Sequence, residues 1–426
     1  MIARPVVFVH GNGDSAALWH TTLWRFESNG TPRDRLFAVD FSFPQAREDD
    51  ALPMTCRSGT DDQLRELQAF VARVLEETGA DRVALVASSR GANAVRNYVR
   101  NGGGERLVAE AVLCGGVNHG VYVSPTFNPR SEFNGAGPFM RALNAPYPDG
   151  NEVAPGVRWL TLRSDGLDKY AQPLGTWVGQ SEMTTGITRD GPALAGAENI
   201  VIADADHREV AFGPRAFDAM YRFLTGAAPA RLDVVPEAGI VLDGVVSGFC
   251  DGSPTNLPLV GAVVSVHEVA RVSGVRLRTL IDRAVIDGDG RWGPLSTFSS
   301  SCLEFVIEAD GSPVTHIYRS PFARSSQLVH LRPALPGALP AAGRAGVSRI
   351  AISRPRGYFG VGRDRFEIDG APPPGVSPGV PAVSLATVNV AARLRRTVPT
   401  RFNDEAIAVV NWPAAENRVV IAEFHA

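Results

Sequence analysis

Residues 83–95 constrain this chain more than any other stretch. Val83-Ala84-Leu85-Val86-Ala87 is apolar throughout, as a strand buried on both faces has to be. Ser88-Ser89-Arg90-Gly91 follows, and Ala92-Asn93-Ala94-Val95 takes up a helical pattern. Ala87-x-Ser89-x-Gly91 sets small residues on both sides of one serine. A strained strand-to-helix turn needs small neighbours, because larger side chains collide there. Such a turn lifts the hydroxyl above the sheet and leaves it at a helix N-terminus, whose dipole favours developing negative charge. Ser89 is therefore the candidate nucleophile. Ser88 fits less well, since Arg90 rather than a small residue stands two places after it. The plainer alternative is a pair of helix-capping serines, and the partners found downstream weigh against it.

A serine hydroxyl needs a base, and the base needs an orienting acid. With a serine on this kind of turn, the chain order is serine, acid, histidine. Of eight histidines, His267, His316, His330 and His425 lie in a β-rich second half. His10, His20 and His119 do not follow a late strand. His207 alone follows the last apolar strand of the first half, residues 200–203, and precedes its closing helix. The loop at a parallel strand's carboxyl end is where ligands gather, so His207 is the candidate base. The acid is expected after the preceding strand, in Arg163-Ser164-Asp165-Gly166-Leu167-Asp168-Lys169. Asp168 is followed within five residues by a small residue and a proline, and is preferred. Asp165 stands closer to the strand end and is the alternative acid; beside Gly166 it also suits a turn.

The intermediate of acyl transfer needs two preorganised backbone N–H donors. One is expected from Arg90, next after the serine. The other is expected from the loop after an early strand. Val6-Val7-Phe8-Val9-His10-Gly11-Asn12-Gly13 is such a strand and loop, with Asn12 as donor and His10 as a structural buttress. Read in isolation, His10–Gly13 is only a glycine turn; the downstream serine gives it this role.

Around these motifs the first 226 residues alternate apolar runs with helical patterns, the mark of a parallel sheet flanked by helices. Strands are expected at 6–9, 36–39, 83–87, 111–114, 159–162 and 200–203. A helix over 61–78 buries Leu64, Leu67, Phe70, Val71, Val74 and Leu75 at 3.6 spacing, with a Thr60/Gln63 capping box and a stop at Gly79. A closing helix over 214–224 packs Phe217, Met220, Tyr221 and Leu224. Residues 225–229 read as a linker. Beyond it helical periodicity ends, and strands are expected at 240–246, 262–266, 305–307 and 329–331, a β-sandwich over 232–333. A Pro/Gly/Ala break at 333–346 precedes a further β-rich region, 347–426.

Residues 119–156 form a long insertion, and long insertions are commonly lids or binding loops. Tyr122, Phe127, Phe133, Phe139 and Met140 are the candidate substrate contacts of a partly apolar cap over Ser89. The alternative is a packed excursion whose aromatics make a satellite core.

These residues resemble those of bacterial and archaeal lipases and esterases of the α/β-hydrolase fold. The resemblance covers the first 226 residues through His10-Gly11-Asn12-Gly13, Ala87–Gly91, the Asp165/Asp168 segment and Asp206-His207. Ala87 stands where the motif often has glycine. The resemblance implies a compact sheet of about six mainly parallel strands, a Ser89–Asp168–His207 triad, and neither metal nor cofactor. Residues 259–264 and 287–292 resemble transthyretin-like or carboxypeptidase-regulatory-like β-sandwiches. Asp287–Gly290 carries no acid at the twelfth place of a calcium loop, where Phe298 stands, so a hairpin turn is expected.

At 426 residues, 44% hydrophobic and 20% charged, the chain is long enough for two or three domains and too apolar to be disordered. A net charge of −3 gives no footing for nucleic acid. Four cysteines without a C-x-x-C spacing argue against zinc or redox chemistry. Cys114 reads as a buried hydrophobe, while Cys250 and Cys302 fall in one β-rich segment and the sequence leaves open whether they pair. No leader precedes the first strand and no run of about 18 apolar residues occurs, so a chain soluble as written is expected. Appended β-domains make secretion the expectation by analogy.

The function expected is cleavage of a small-molecule or lipid carboxylic ester with an apolar acyl part, with the β-rich region contacting a lipid or polymer surface. A polyester (polyhydroxyalkanoate-like) depolymerase or an amidase shares the same triad. A non-catalytic binding protein with a dead hydrolase domain is the alternative of another class.

Overall fold

The computed structural model describes residues 4–335, 347–391, 394–413 and 416–426. It divides into two compact units, Met1–Val234 and Val235–Ala426.

The first unit is built on β1 (Val6–Val9), β2 (Leu36–Val39), β3 (Val83–Ser88), β4 (Val108–Cys114), β5 (Arg158–Ser164) and, after a two-stranded hairpin of β6 (Leu174–Gly175) and β7 (Gln180–Thr184), β8 (Glu198–Ile202). These six form one sheet in the order β2-β1-β3-β4-β5-β8, and every pairing is parallel. Successive side chains of a strand face opposite sides, and the sequence fills both. Val6 and Phe8 face one core with Trp19, Phe26, Phe217 and Met220. Val7 and Val9 face the other with Leu67, Val71, Val74 and Tyr98. A ring such as Phe8, fully buried, contributes about 2–3 kcal/mol.

The helices are α1 (His20–Ser28), α2 (Thr60–Thr78), α3 (Arg90–Asn101), α4 (Gly104–Leu107), α5 (Pro138–Leu143), α6 (Glu209–Phe212) and α7 (Pro214–Thr225). Gly79 ends α2 at φ 63°, as expected. Its start differs from the expected capping box. The Asp62 carboxylate accepts from the Gly59 N–H at 2.8 Å, while the Thr60 hydroxyl donates to Asp50 at 2.6 Å. Asp50 lies in the preceding loop and outcompetes the local partner Gln63. On α7, Phe217, Met220 and Tyr221 are buried, and Leu224 packs half-buried against the same core.

The chain passes from β1 to β2 on one side, then returns to β3 on the other. The reversal leaves a crevice beyond the carboxyl ends of β1 and β3, where open α/β sheets bind ligands. His10–Gly13 and Ser89 lie at those ends.

The second unit is all β. Its strands are β9 (Gly239–Leu242), β10 (Ser247–Cys250), β11 (Ser253–Pro258), β12 (Val263–Val269), β13 (Arg276–Val285), β14 (Leu295–Phe298), β15 (Cys302–Glu308), β16 (Val314–Arg319), β17 (Val347–Ser353), β18 (Phe366–Ile368), β19 (Leu385–Ala391), β20 (Thr397–Phe402), β21 (Glu405–Val410) and β22 (Arg418–Glu423). Strands from 263–319 and from 347–423 share one seven-stranded sheet, β13-β12-β15-β16-β22-β17-β19. Ile350, Ile352 and Val420 of that sheet pack with Phe366, Val398, Phe402 and Val409 of the three-stranded β18-β20-β21 sheet. That is sheet-on-sheet, sandwich-like packing.

Two expectations are corrected here and one open pairing is settled. Residues 329–331 make no strand: the Val329 and Leu331 N–H groups donate to the Asp243 and Val245 carbonyls, and Leu331 forms an isolated bridge to Val246. Asp287–Gly290 is a turn but not a hairpin, since β13 pairs with β12 and β14 with β9. Cys250 does not pair with Cys302: Cys250 is disulfide-bonded, whereas Cys302 and Cys114 carry free thiols. Most of the expected break at 333–346 lies outside the described residues. Among the described residues no helix is long and apolar enough to cross a membrane.

Candidate active site

Ser89 occupies the turn between β3 and α3 with φ 53° and ψ −122°. A non-glycine residue at positive φ is strained, and such strain persists only where its surroundings enforce it. Here the Ser89 N–H donates to the Cys114 carbonyl at 2.8 Å, fixing the turn to the neighbouring strand. The small neighbours follow from close approach. A Cβ on Gly91 would lie 2.7 Å from the His10 carbonyl oxygen and 2.8 Å from that of Val9, and one on Gly11 would lie 2.9 Å from the Ser89 Cβ. The loop after β1 thus touches the serine turn with nothing between them.

His207 lies in the loop between β8 and α6. Its Nε2 is 2.9 Å from the Ser89 Oγ, and its Nδ1 is 2.8 Å from the Asp168 Oδ2. A carboxylate only accepts, so Nδ1 carries the proton and Nε2 accepts from the serine hydroxyl. Asp168 and His207 are each 4% exposed, which strengthens their interaction by excluding water. The other Asp168 oxygen accepts from the Tyr170 N–H at 2.8 Å. The Tyr170 ring stands edge-on to the imidazole, centroids 4.6 Å apart.

Asp165 is not part of this chain of contacts. Its carboxylate accepts from the Asp204 N–H at 3.2 Å and so holds the start of the His207 loop. Between the two candidates, Asp168 is the one on the histidine.

On the other side of Ser89, His10 acts as a buttress. Its Nε2 accepts from the Phe41 N–H at 3.0 Å, and its Nδ1 donates to the Gly11 carbonyl at 2.8 Å. That set of partners needs a neutral ring, and burial lowers the His10 pKa below its ordinary value. The Asn12 side chain accepts from the Ala46 N–H at 2.8 Å, and the residue is exposed. Arg90 is the first residue of α3, so its N–H has no acceptor within the helix.

The insertion is packed rather than open. Tyr122, Met140 and Leu143 are buried, and Phe127, Phe133 and Phe139 are half-buried. The Tyr122 ring meets Phe127 edge-on at 5.2 Å, and its hydroxyl donates to the Asn128 carbonyl at 3.1 Å. A cleft does abut Asp168, but Asn118, His119, Arg163, Ile187 and Leu194 line it, and none of the five expected substrate contacts does.

Several supporting contacts were not read from the sequence. The Arg208 guanidinium pairs with Asp14 at 2.7 Å, tying the histidine loop to the loop after β1. Lys169, the only lysine of the chain, lies over the Tyr170 and Trp177 rings at 5.0 and 5.6 Å. Burial, with Arg208 adding to it, pulls its pKa down to about 8. The sole lysine next to the acid was the available signal.

A parallel six-stranded sheet carrying a serine on a sharp turn after its third strand defines an α/β-hydrolase domain. Residues 3–125 match the family model described as lipase (class 2), and residues 239–336 match that of the lipase C-terminal domain. These matches support a hydrolase of the lipase and esterase class, and the region after it is β-rich. It is similar to several solved structures. Bacillus licheniformis lipase BlEst2 in mature form is 16% identical over 53% of this chain and 93% of that one, with TM-score 0.37. The lin2722 gene product of Listeria innocua is 16% identical over 54% and 96%, with TM-score 0.36. Carboxylesterase CesB from Bacillus subtilis is 14% identical over 53% and 85%, with TM-score 0.30.

Proposed function

We propose that this protein is a serine hydrolase that cleaves carboxylic esters with an apolar acyl part through an acyl-enzyme. The observation that carries the reading is the run Ser89 Oγ, His207 Nε2, His207 Nδ1, Asp168 Oδ2, with contacts of 2.9 and 2.8 Å.

In the first half-reaction the Ser89 oxygen attacks the carbonyl carbon while His207 Nε2 takes the hydroxyl proton. Asp168 holds the imidazole in the required tautomer and stabilises the imidazolium. The backbone N–H groups of Asn12 and Arg90 receive the oxyanion, a contribution that general experience sets at about 10²–10³ in rate per donor. The C–O bond to the alcohol breaks, and His207 returns its proton to the leaving oxygen. Water then attacks the acyl-serine with His207 as base again, releasing the acid and restoring Ser89.

Residues 1–226 are the catalytic domain in this reading, with 119–156 as a wall of the site. The β-rich part, 232–333 with 347–426, serves contact with a lipid or polymer surface. Its match to a lipase C-terminal domain over residues 239–336 supports an accessory role.

The test compares wild type with Ser89→Ala on p-nitrophenyl esters from acetate to palmitate. The variant should lose several orders of magnitude in kcat. Equal activity in both overturns the assignment of Ser89. A profile peaking at acetate rules out a long apolar acyl site.

A further inference from the structure

The Arg90 backbone is one of the two expected oxyanion donors, yet its side chain does not reach solvent. Arg90 and Glu132 are each 1% exposed. Every N–H of the guanidinium is spoken for. Nε donates to Glu132 Oε1 at 2.7 Å, Nη1 to the Pro44 carbonyl at 3.1 Å and to Ser58 Oγ at 2.9 Å, and Nη2 to the Ser58 carbonyl at 2.7 Å. Nη2 also lies 2.5 Å from Glu132. Asn93, one turn on along α3, donates to the second Glu132 oxygen at 3.3 Å.

The same short segment after β2 holds the other donor's loop. The Pro44 carbonyl that accepts from Arg90 also accepts from the Gly13 N–H at 3.0 Å. Two residues on, the Ala46 N–H donates to the Asn12 side chain at 2.8 Å. Ser58 closes the ring, donating to the Phe43 carbonyl at 2.6 Å and, by its N–H, to the Gln45 carbonyl at 2.9 Å. Asn12 and Arg90 are thus linked through residues 43–46 by an unbroken run of hydrogen bonds.

We infer that the Arg90 guanidinium, clamped by Glu132 and the Pro44–Ser58 carbonyls, is a positioning group that fixes the separation of the Asn12 and Arg90 oxyanion donors. The inference rests on the reading of Ser89 as nucleophile given above. Net stability is a poor reason for such a pair, because a well-packed apolar replacement of a buried ion pair is often neutral or better. Geometry is a sufficient one: a displacement of about 1 Å at a reacting centre costs about 100-fold in rate. Arginine suits the task where lysine does not, since only its rigid fork serves four acceptor groups in fixed directions. Glu132 also anchors residues 119–156 to α3, which makes the insertion a fixed wall and not a swinging lid.

The test uses the full chain with Glu132→Gln, Arg90→Lys and the double change Arg90→Met/Glu132→Leu, all of which keep the backbone donors. Active sites are counted by fluorophosphonate labelling, and kcat is expressed per labelled site. Each variant should lose tenfold or more in kcat per site with KM within about threefold of wild type. Turnover of a thionoester, whose sulfur fits the oxyanion site poorly, should fall less than that of the matching oxoester. The double variant strands neither charge, so its Tm should stay near wild type while kcat remains low. The inference is overturned if kcat per site stays within twofold of wild type in Glu132→Gln and in the double variant. It is equally overturned if labelled sites and activity fall in step, for then only folded protein has been lost. Failure of wild type to label, or equal activity in Ser89→Ala, defeats the underlying reading instead.

Discussion

The Asp168 carboxylate lies 2.8 Å from His207 Nδ1, whereas Asp165, three residues earlier in the same loop, spends its carboxylate on the Asp204 N–H at 3.2 Å. Two aspartates that look interchangeable in sequence therefore have separate tasks. In Asp168→Asn the Tyr170 N–H claims the one amide oxygen and leaves the NH2 facing Nδ1, which selects the wrong tautomer, so kcat should drop by about 10³–10⁴. Asp165→Asn keeps an oxygen for the Asp204 N–H and should stay within about threefold. Steady-state kinetics on one ester, with both variants side by side, decide it. The reverse ranking would move the acid to Asp165.

Gly91 meets the loop after β1 at van der Waals contact. The atoms that a Cβ there would strike are main-chain carbonyl oxygens of His10 and Val9, at 2.7 and 2.8 Å, and these cannot rotate away. Gly91→Ala should therefore push the loop carrying Asn12 away from Ser89. We expect a loss of about 1–3 kcal/mol in stability and more than tenfold in kcat. Thermal unfolding and kinetics read both. An alanine variant with wild-type kcat would show that this contact does not set the oxyanion geometry.

The aromatic and methionine side chains named in residues 119–156 are buried or half-buried, which makes a packing role testable against a substrate role. Met140 is 1% exposed, and its truncation to alanine leaves a cavity costing about 2–4 kcal/mol. Met140→Ala should lower Tm while leaving the acyl-chain profile unchanged. A shifted chain-length optimum at unchanged Tm would restore Met140 to the substrate site.

What could be read from the sequence follows the range of the interactions concerned. Ser89, His10 and the six strands of the first unit are set by neighbours a few residues away, so local pattern finds them. His207 follows from topology, because only one histidine trails the last parallel strand. The choice of Asp168 over Asp165 depends on how a loop curls, and the guanidinium clamp joins residues 32 to 46 positions apart. Neither leaves a local pattern. The insertion's aromatics were visible, but their composition does not tell inward packing from a binding surface. In the second unit β13 carries mostly exposed side chains and so lacks the apolar alternation that betrays a strand. The partner of Cys250 is likewise a matter of three-dimensional proximity.

The neutral His10 ring makes the fold sensitive to mild acid. Protonation would turn Nε2 from an acceptor into a donor facing the Phe41 N–H, now 3.0 Å away. Burial lowers the folded pKa below the ordinary 6.5, with Asp40 and the Gly11 carbonyl opposing it only in part. Above pH 6.5 the ring is neutral in both folded and unfolded chains and adds no pH dependence. Below it the unfolded chain takes up the proton first, so stability falls as pH drops from about 6.5 toward the folded value. His316 and His425, also lowered by burial, act in the same direction in the second unit, so the His10 share needs a difference measurement. Tm recorded from pH 7.5 to 5.0 should decline in wild type, and more steeply than in His10→Asn, which has a group to accept and one to donate but no proton to gain. Parallel curves would mean that the ring titrates alike in both states and that accepting from the Phe41 N–H adds nothing to stability.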